Sequence, residues 1–326
     1  MRLISSLAIC AFAITVGPLS SQGRAQNLTT GYNTLTAQPC AQLSATAVQN
    51  VTNFVAGIAM ACLQSIPVNV SGDVEVINGL TMLLRSQSTL PYLKNPPPGY
   101  LYPGVDVLGS LDSILADLEV ETYASEYDVQ MDLYNLVNSA YDFHFTWIPD
   151  VVAVFSWNRK GGLISVSSDG LSLPDVSRSV DFPALVASSS SSYQTSPITL
   201  INGVDVESWL NAFAAVNPYD HDPDANYDNI MFDVPRIAMS DSSNGGGAFL
   251  GGFVYQGNDT VMTFANGTVR RIPTYAETSC DLSRVTDGVS FFQKCKAASS
   301  PNQSVSNSTK VTTENSYTPV PTSDPS

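Results

Sequence analysis

Basic residues are scarce. The chain of 326 residues has 14 Lys and Arg against 29 Asp and Glu, a formal charge of −15. So acidic a surface repels phosphate backbones and anionic headgroups, which argues against nucleic acid and an anionic membrane surface as partners. Histidine is scarcer still, with only His144 and His221. No C-x-x-C pair or histidine spacing suggests zinc, so no metal is expected. G-x-S-x-G is missing, so no nucleophile elbow can be named. G-x-x-x-x-G-K and G-x-G-x-x-G are missing too, and the glycine-rich stretches Ser242–Gly247 and Gly251–Gly252 read as mobile loop rather than a phosphate cradle. No cofactor is expected. After the first turns of the chain, no apolar run approaches the length of a membrane span.

The first residues are a leader. Arg2 precedes the short apolar run Leu3–Val16, and Gly23-Arg24-Ala25 offers small residues to a signal peptidase. Residues 1–25 therefore read as a signal peptide and the mature protein as secreted or lumenal. Removal of Arg2 and Arg24 leaves 12 basic residues against 29 acidic ones, or −17. Cys10 leaves with them. Cys40, Cys62, Cys280 and Cys295 remain, an even set that suggests two disulfides in an oxidising compartment. Three pairings are possible, and Cys40–Cys62 with Cys280–Cys295 is the simplest. Sequons at Asn27, Asn50, Asn69, Asn258, Asn266, Asn302 and Asn307 suit a secreted glycoprotein.

Fold class reads as α+β. A polar segment (26–39) precedes a helical domain (40–150), then a β-rich domain (151–296) and a disordered Ser/Thr/Pro-rich linker or tail (297–326). Periodicity predicts one helix over Cys40–Ser65 and another over Val74–Leu84. Five prolines make Leu90–Gly104 an extended or turning loop, with Tyr92, Tyr100 and Tyr102 packed onto the domain. Ser110 and Ser125 read as helix caps, the second paired with Asp128. Further on, Leu163–Ser167 and Leu171–Leu173 read as strands about a turn, and Ser188–Ser192 as a flexible insertion. Pro197–Ile201 is a strand ending in the Asn202-Gly203 turn, with Asp205 as a cap for the helix after it. Val261–Ile272 is a hairpin.

One stretch carries the chemistry: Ser139 to Asp150, read as a helix end running into a short strand. Alternation puts Phe143, Phe145 and Trp147 on one face and His144 on the other. An imidazole there is placed for proton transfer, and Asp142, two residues back, is placed to orient it or to cap the strand. A packed structural histidine is the plain alternative. Around His221 the alternating acids suggest a calcium loop. From Asp220 as first ligand, the glycine position holds Ala225 and the bidentate position Met231, so the comparison fails.

The order of several motifs resembles secreted fungal members of the tail-specific (carboxyl-terminal processing) serine peptidase family, related to the chlamydial protease-like activity factor. The matching pieces begin with Pro39-Cys40, Ala61-Cys62-Leu63, Tyr92-Leu93-Lys94 and Pro97-Pro98-Gly99-Tyr100. They continue with Pro103-Gly104-Val105-Asp106, Glu126-Tyr127-Asp128 and the stretch from Ala140 to Phe145. Ile201-Asn202-Gly203, Asp222-Pro223-Asp224-Ala225 and Phe264-Ala265-Asn266-Gly267-Thr268 complete the series. The resemblance implies that His144 is the general base of a secreted serine endopeptidase. It implies that Ile201, Asn202 and Gly203 belong to a PDZ-like module that binds substrate, an extended peptide or unfolded protein. Processing of a precursor peptide in a fungal secondary-metabolite pathway is a role that it allows. It puts the nucleophilic serine in a crotonase-like domain that this chain is expected to lack, so a separate or downstream catalytic domain would be a partner. Phe143 departs from the small residue expected before the histidine. A non-catalytic, PDZ-like peptide-binding glycoprotein is the alternative.

Overall fold

A computed structural model describes residues 38–49, 51–167, 169–182, 185, 195–216, 220–239 and 246–295. The expected leader, the serine run, the tail and the sequons at Asn27, Asn50, Asn302 and Asn307 lie outside these residues.

Where periodicity predicts one helix over Cys40–Ser65, the chain forms α1 (Pro39–Ala47), the short strand β1 (Phe54–Val55) and α2 (Ala56–Gln64). The reason is geometric. Cys40 and Cys62 form a disulfide with Cα atoms 4.7 Å apart. An unbroken helix would hold them roughly 33 Å apart, so the bond demands a chain reversal. The interruption includes the β-branched Val51 and Thr52, which are weak helix formers.

Three longer elements follow: α3 (Val70–Leu84), α5 (Val107–Glu119) and α6 (Glu126–Asn138). They close a core of Ile77, Leu80, Leu111, Ile114, Leu118, Val129 and Leu133. Between α3 and α5 the proline-rich segment includes one short helix, α4 (Leu90–Lys94), which tolerates Pro91 in its first turn. The cap of α5 is Asp106, which accepts from the Gly109 N–H at 3.2 Å; Ser110 lies inside the helix. The helix starts earlier than its Leu111–Leu118 stripe indicates because Val107 is also buried. Ser125 caps α6 as its pairing with Asp128 predicts, accepting from the Asp128 N–H at 3.3 Å and donating to its carboxylate at 2.8 Å.

After the one-turn helix α7 (Asp150–Ala153) the chain becomes mostly β. The strands are β2 (Ser156–Arg159), β3 (Leu163–Val166), β4 (Asp175–Arg178), β5 (Ile198–Ile201), β6 (Val204–Asp205), β7 (Gly251–Gly252), β8 (Asp259–Phe264) and β9 (Val269–Glu277). The larger sheet has the order β6-β5-β8-β9-β2-β7, with β1 also on β9, and β3 pairs with β4 apart from it. The partner of β3 is not Leu171–Leu173. The Asp169 carboxylate accepts from the Leu171 and Ser172 N–H groups and holds that segment as a loop, with Leu171 and Leu173 at the surface. Asn202 and Gly203 take φ of 52° and 80°, the left-handed pair that a two-residue hairpin turn requires. Helix α8 (Val206–Val216) is capped by Asp205, which accepts from Ser208 N–H at 3.0 Å. Its Leu210 and Phe213 join Ile198, Ile201, Met262 and Phe264 in a second core. Helices α9 (Pro223–Asp228), α10 (Val234–Ala238) and α11 (Gly288–Cys295) complete the fold.

The third core joins the two ends of the described chain. Phe54, Cys62 and Leu63 pack with Phe155, Trp157, Ala276 and Phe291. The second disulfide, Cys280–Cys295, secures α11 beside it. Gly288 is required there: a Cβ would lie 2.2 Å from the Ser65 carbonyl oxygen at the end of α2.

Candidate functional site

The end of α6 builds the site. The Tyr141 N–H bonds back to the Asn138 carbonyl, and Tyr141 takes the left-handed conformation, φ 51°, that commonly ends a helix. The chain then enters a turn and not a strand. The Phe145 N–H bonds to the Asp142 carbonyl at 2.9 Å, and no strand occurs between 141 and 149. Alternation fails at Phe143. Phe145 is buried against Val107, Val137 and Ala140, and Trp147 packs beside them, but Phe143 is 45% exposed.

The turn brings Asp142 and His144 together. One carboxylate oxygen, Oδ1, accepts from the His144 N–H at 2.9 Å and lies 3.4 Å from the ring Nδ1. The contact to Nδ1 is longer than a good hydrogen bond and suits orientation more than tight binding. With Nδ1 facing Asp142, Nε2 points away from it, and the imidazole is 78% exposed. The ring of Phe143 lies 3.8 Å from that of His144, centroid to centroid, at 38°. So the bulky residue before the histidine packs on one side of the imidazole. Asp142 and Phe145 also line a cavity of about 170 Å³ with Tyr92, Leu93, Tyr100 and His221.

Sequence reasoning gave His221 no role, yet it stands beside this turn. Its Nδ1 is 3.0 Å from the Tyr141 carbonyl oxygen, and its Nε2 makes a short hydrogen bond with the Tyr100 hydroxyl. Tyr102 stacks flat on Tyr141, centroids 3.6 Å apart at 9°. Burial raises the pKa of Tyr102, Tyr141 and Asp222 add to the rise, and a bond to Asn226 opposes it. Tyr102 therefore keeps its proton at neutral pH. The expected packing of the loop tyrosines was the available signal; it holds for Tyr100 and Tyr102, whereas Tyr92 is exposed. Their partner was hidden because His221 is 121 residues from Tyr100 and 80 from Tyr141.

The three residues of the Asn-Gly turn have different surroundings. Ile201 is fully buried in the core. Asn202 is tied to β8, donating to the Val261 carbonyl at 2.7 Å and accepting from the Val261 N–H at 2.8 Å. Gly203 has open space where a Cβ would stand. Both disulfides take the simplest pairing, Cys40–Cys62 and Cys280–Cys295. Among the described sequons, Asn258 and Asn266 are exposed and Asn69 is half-buried ahead of α3. Among the described residues no cluster could hold a metal ion, and no helix is long and apolar enough to cross a membrane.

A second carboxyl cluster joins α3 to α6. Asp73 and Glu126 are 3% and 1% exposed. Glu126 accepts from the Asn69 N–H at 2.8 Å and from the Gln130 amide at 2.5 Å. Asp73 Oδ2 has no hydrogen-bond donor among the described residues. Burial, then the charge of Glu126 and a bond to it, push Asp73 up to about 8. Asp73 therefore carries a proton at neutral pH, and donating it to Glu126 satisfies both groups.

Residues 156–283 match the family model of the CPAF-like PDZ domain. Two peptidase S41 family proteins of Diaporthe leptostromiformis, phomP1' and phomP1, are 32% and 31% identical to the chain over 201 residues. Over these residues the chain is similar to peptidase S41 family proteins. The likeness covers 60% of it, and the chain spans 30% of the length of each of these relatives. The serine-peptidase resemblance drawn from motif order is thus borne out at family level, and the β-rich region is PDZ-like.

Proposed function

We propose that this chain is the histidine-bearing, peptide-engaging part of a secreted serine endopeptidase. His144 is the general base, Asp142 orients its ring, and the PDZ-like region holds an extended peptide. The observation that carries the reading is the exposed Asp142–His144 pair on a turn beside a cavity, in a chain similar over 201 residues to peptidase S41 family proteins. With Nδ1 held toward Asp142, Nε2 is free to take the proton of a serine hydroxyl as it attacks the scissile carbonyl, and to return that proton to the leaving amine. That serine comes from a crotonase-like domain, separate or encoded downstream. Among the described residues no serine hydroxyl is hydrogen-bonded to the imidazole. Ile201, Asn202 and Gly203 shape the β5–β6 edge of the PDZ-like region, where an added peptide strand would find backbone partners. Secretion, glycosylation at exposed sequons and maturation of a precursor peptide in a fungal secondary-metabolite pathway fit this role.

The test is the product secreted from the native transcript, assayed on unfolded protein and with a serine-directed probe. Cleavage is expected, with kcat/KM falling by about 10³-fold or more in His144→Ala at unchanged stability. Full activity in His144→Ala, or neither cleavage nor labelling by the wild type, refutes the reading. That no serine among the described residues is bonded to His144 favours one other reading, a non-catalytic peptide-binding glycoprotein. Peptide binding that His144→Ala leaves intact, without cleavage, would establish it.

A further inference from the structure

His221 lies in the PDZ-like region, and the helical region that bears the His144 turn supplies both hydrogen-bond partners of its ring. A carbonyl oxygen only accepts hydrogen bonds, so the contact of 3.0 Å to Tyr141 requires the proton on Nδ1. In the neutral ring Nε2 is then an acceptor, and the Tyr100 hydroxyl donates to it. One tautomer satisfies both partners. The carbonyl it holds belongs to the strained residue of the turn. Tyr141 has φ 51°, a conformation that bulky side chains seldom adopt and that persists only when its surroundings enforce it. Three contacts hold it: the bond from its N–H back to the Asn138 carbonyl, the stacking of its ring on Tyr102 and the bond from His221 to its carbonyl. The next residue is Asp142, whose carboxylate fixes the backbone of His144 and faces its ring. Rotation of the Tyr141 peptide therefore re-aims both.

We propose that His221 is a positioning residue: by holding the Tyr141 carbonyl, it locks the turn that presents Asp142 and His144 and ties that turn to the PDZ-like region. Its importance for catalysis rests on the reading of His144 as the base. The locking does not.

The chain has only two histidines, so histidine labelled with ¹³C and ¹⁵N gives two imidazole spin systems, assigned by His144→Gln. The proposal expects the neutral His221 ring to be protonated on Nδ1. It expects His221→Phe, which keeps a flat ring, to shift and broaden the His144 imidazole signals while the melting temperature stays near that of the wild type. His221→Asn, with a short amide donor for the Tyr141 carbonyl, is expected to restore them in part. A neutral His221 protonated on Nε2, or His144 signals in His221→Phe that coincide with the wild type, overturns it. Should His221→Phe fail to fold, Tyr100→Phe removes only the partner of Nε2. It is expected to move the His221 signals and, less strongly, those of His144; unmoved His144 signals overturn the proposal. Failure of His144 as a base would leave these spectra unchanged. Failure of the lock would leave an effect of His144→Ala on peptide cleavage unchanged.

Discussion

Replacing Asp73 by Asn tests how the helical region stores a proton. Asp73 is buried on α3 beside Glu126, with one carboxyl oxygen lacking a donor among the described residues, and its pKa is pushed up to about 8 from 3.8. A folded-state pKa above the unfolded one means that the native state holds the proton more tightly. The stability from this group is therefore complete below about pH 4 and is lost progressively as the pH rises toward 8. At 1.36 kcal/mol per pH unit, the loss between pH 4 and pH 7 is on the order of a few kcal/mol. Other carboxylates act in the opposite sense. The Ser172 and Leu171 N–H groups hold Asp169 well below the carboxylate range, and Lys294 first, then Ser283, does the same for Asp281. Their contributions vanish on acidification, so the wild-type curve alone would mix the two effects. The difference between wild type and Asp73→Asn isolates the buried pair. Asn keeps the shape, and its amide can donate to Glu126 as the protonated acid does. Urea unfolding from pH 4.5 to 8.5 is the assay. Asp73→Asn is expected to gain on the wild type steadily with pH, by on the order of a few kcal/mol at neutrality. A difference independent of pH, or a variant less stable than the wild type at pH 8, refutes the shared proton.

Two further outcomes concern the PDZ-like region. Arg159 is 4% exposed; its Nη1 donates to the Phe249 carbonyl at 2.8 Å, its Nε and Nη2 lack partners among the described residues, and burial pulls its pKa down to about 10. The guanidinium carbon stands 5.0 Å from the centroid of the Phe249 ring, which offsets part of its burial cost. Arg159→Met is expected to be neutral or stabilising by about 1–3 kcal/mol in chemical denaturation, and a clear loss of stability would show that the cation is well paired. Asn202→Gly suits the left-handed turn but loses the side-chain acceptor for the Val261 N–H, whereas Asn202→Ala loses that acceptor and is also strained in the turn; the backbone bond to the Val261 carbonyl stays in both. The melting temperatures should therefore fall in the order wild type, Gly, Ala, with Ala about 1 kcal/mol below Gly; the reverse order of the two variants would exclude backbone strain as the cause.

Local chemistry was legible at most places where neighbours decide the structure, but not at Ser110, which Asp106 replaces as the cap, nor at Leu171–Leu173, which Asp169 holds as a loop. Ser125 with Asp128, the Asn202-Gly203 turn, the Asp205 cap and the hairpin of β8 and β9 each depend on residues a few positions apart, and each stands as read. The other errors arose where distant groups decide. The periodic stripe from Ala47 to Cys62 hid the break between α1 and α2, although the simplest disulfide pairing already conflicted with one helix of that length. At His144, alternation of three aromatic residues read as a strand. Two of the three do pack inward, as the end of a helix followed by a turn also allows. His221 was invisible as a neighbour of that turn because no periodicity links it to Tyr100 or Tyr141.

The pairing of β1 with β9 bears on how the molecule can be divided. The PDZ-like match begins at residue 156, but Phe54 and Val55 pair with Ala276 and Tyr275 inside it. A fragment of residues 156–283 would carry β9 with the backbone groups that β1 covers laid open. It would also expose Trp157 and Ala276 on the face that Phe54, Leu63 and Phe291 cover in the longer chain. Such a fragment presents an adhesive strand edge beside bare apolar surface, the combination that drives edge-to-edge aggregation. An expression boundary that runs from Pro39 through Cys295 keeps both disulfides and leaves that edge sealed.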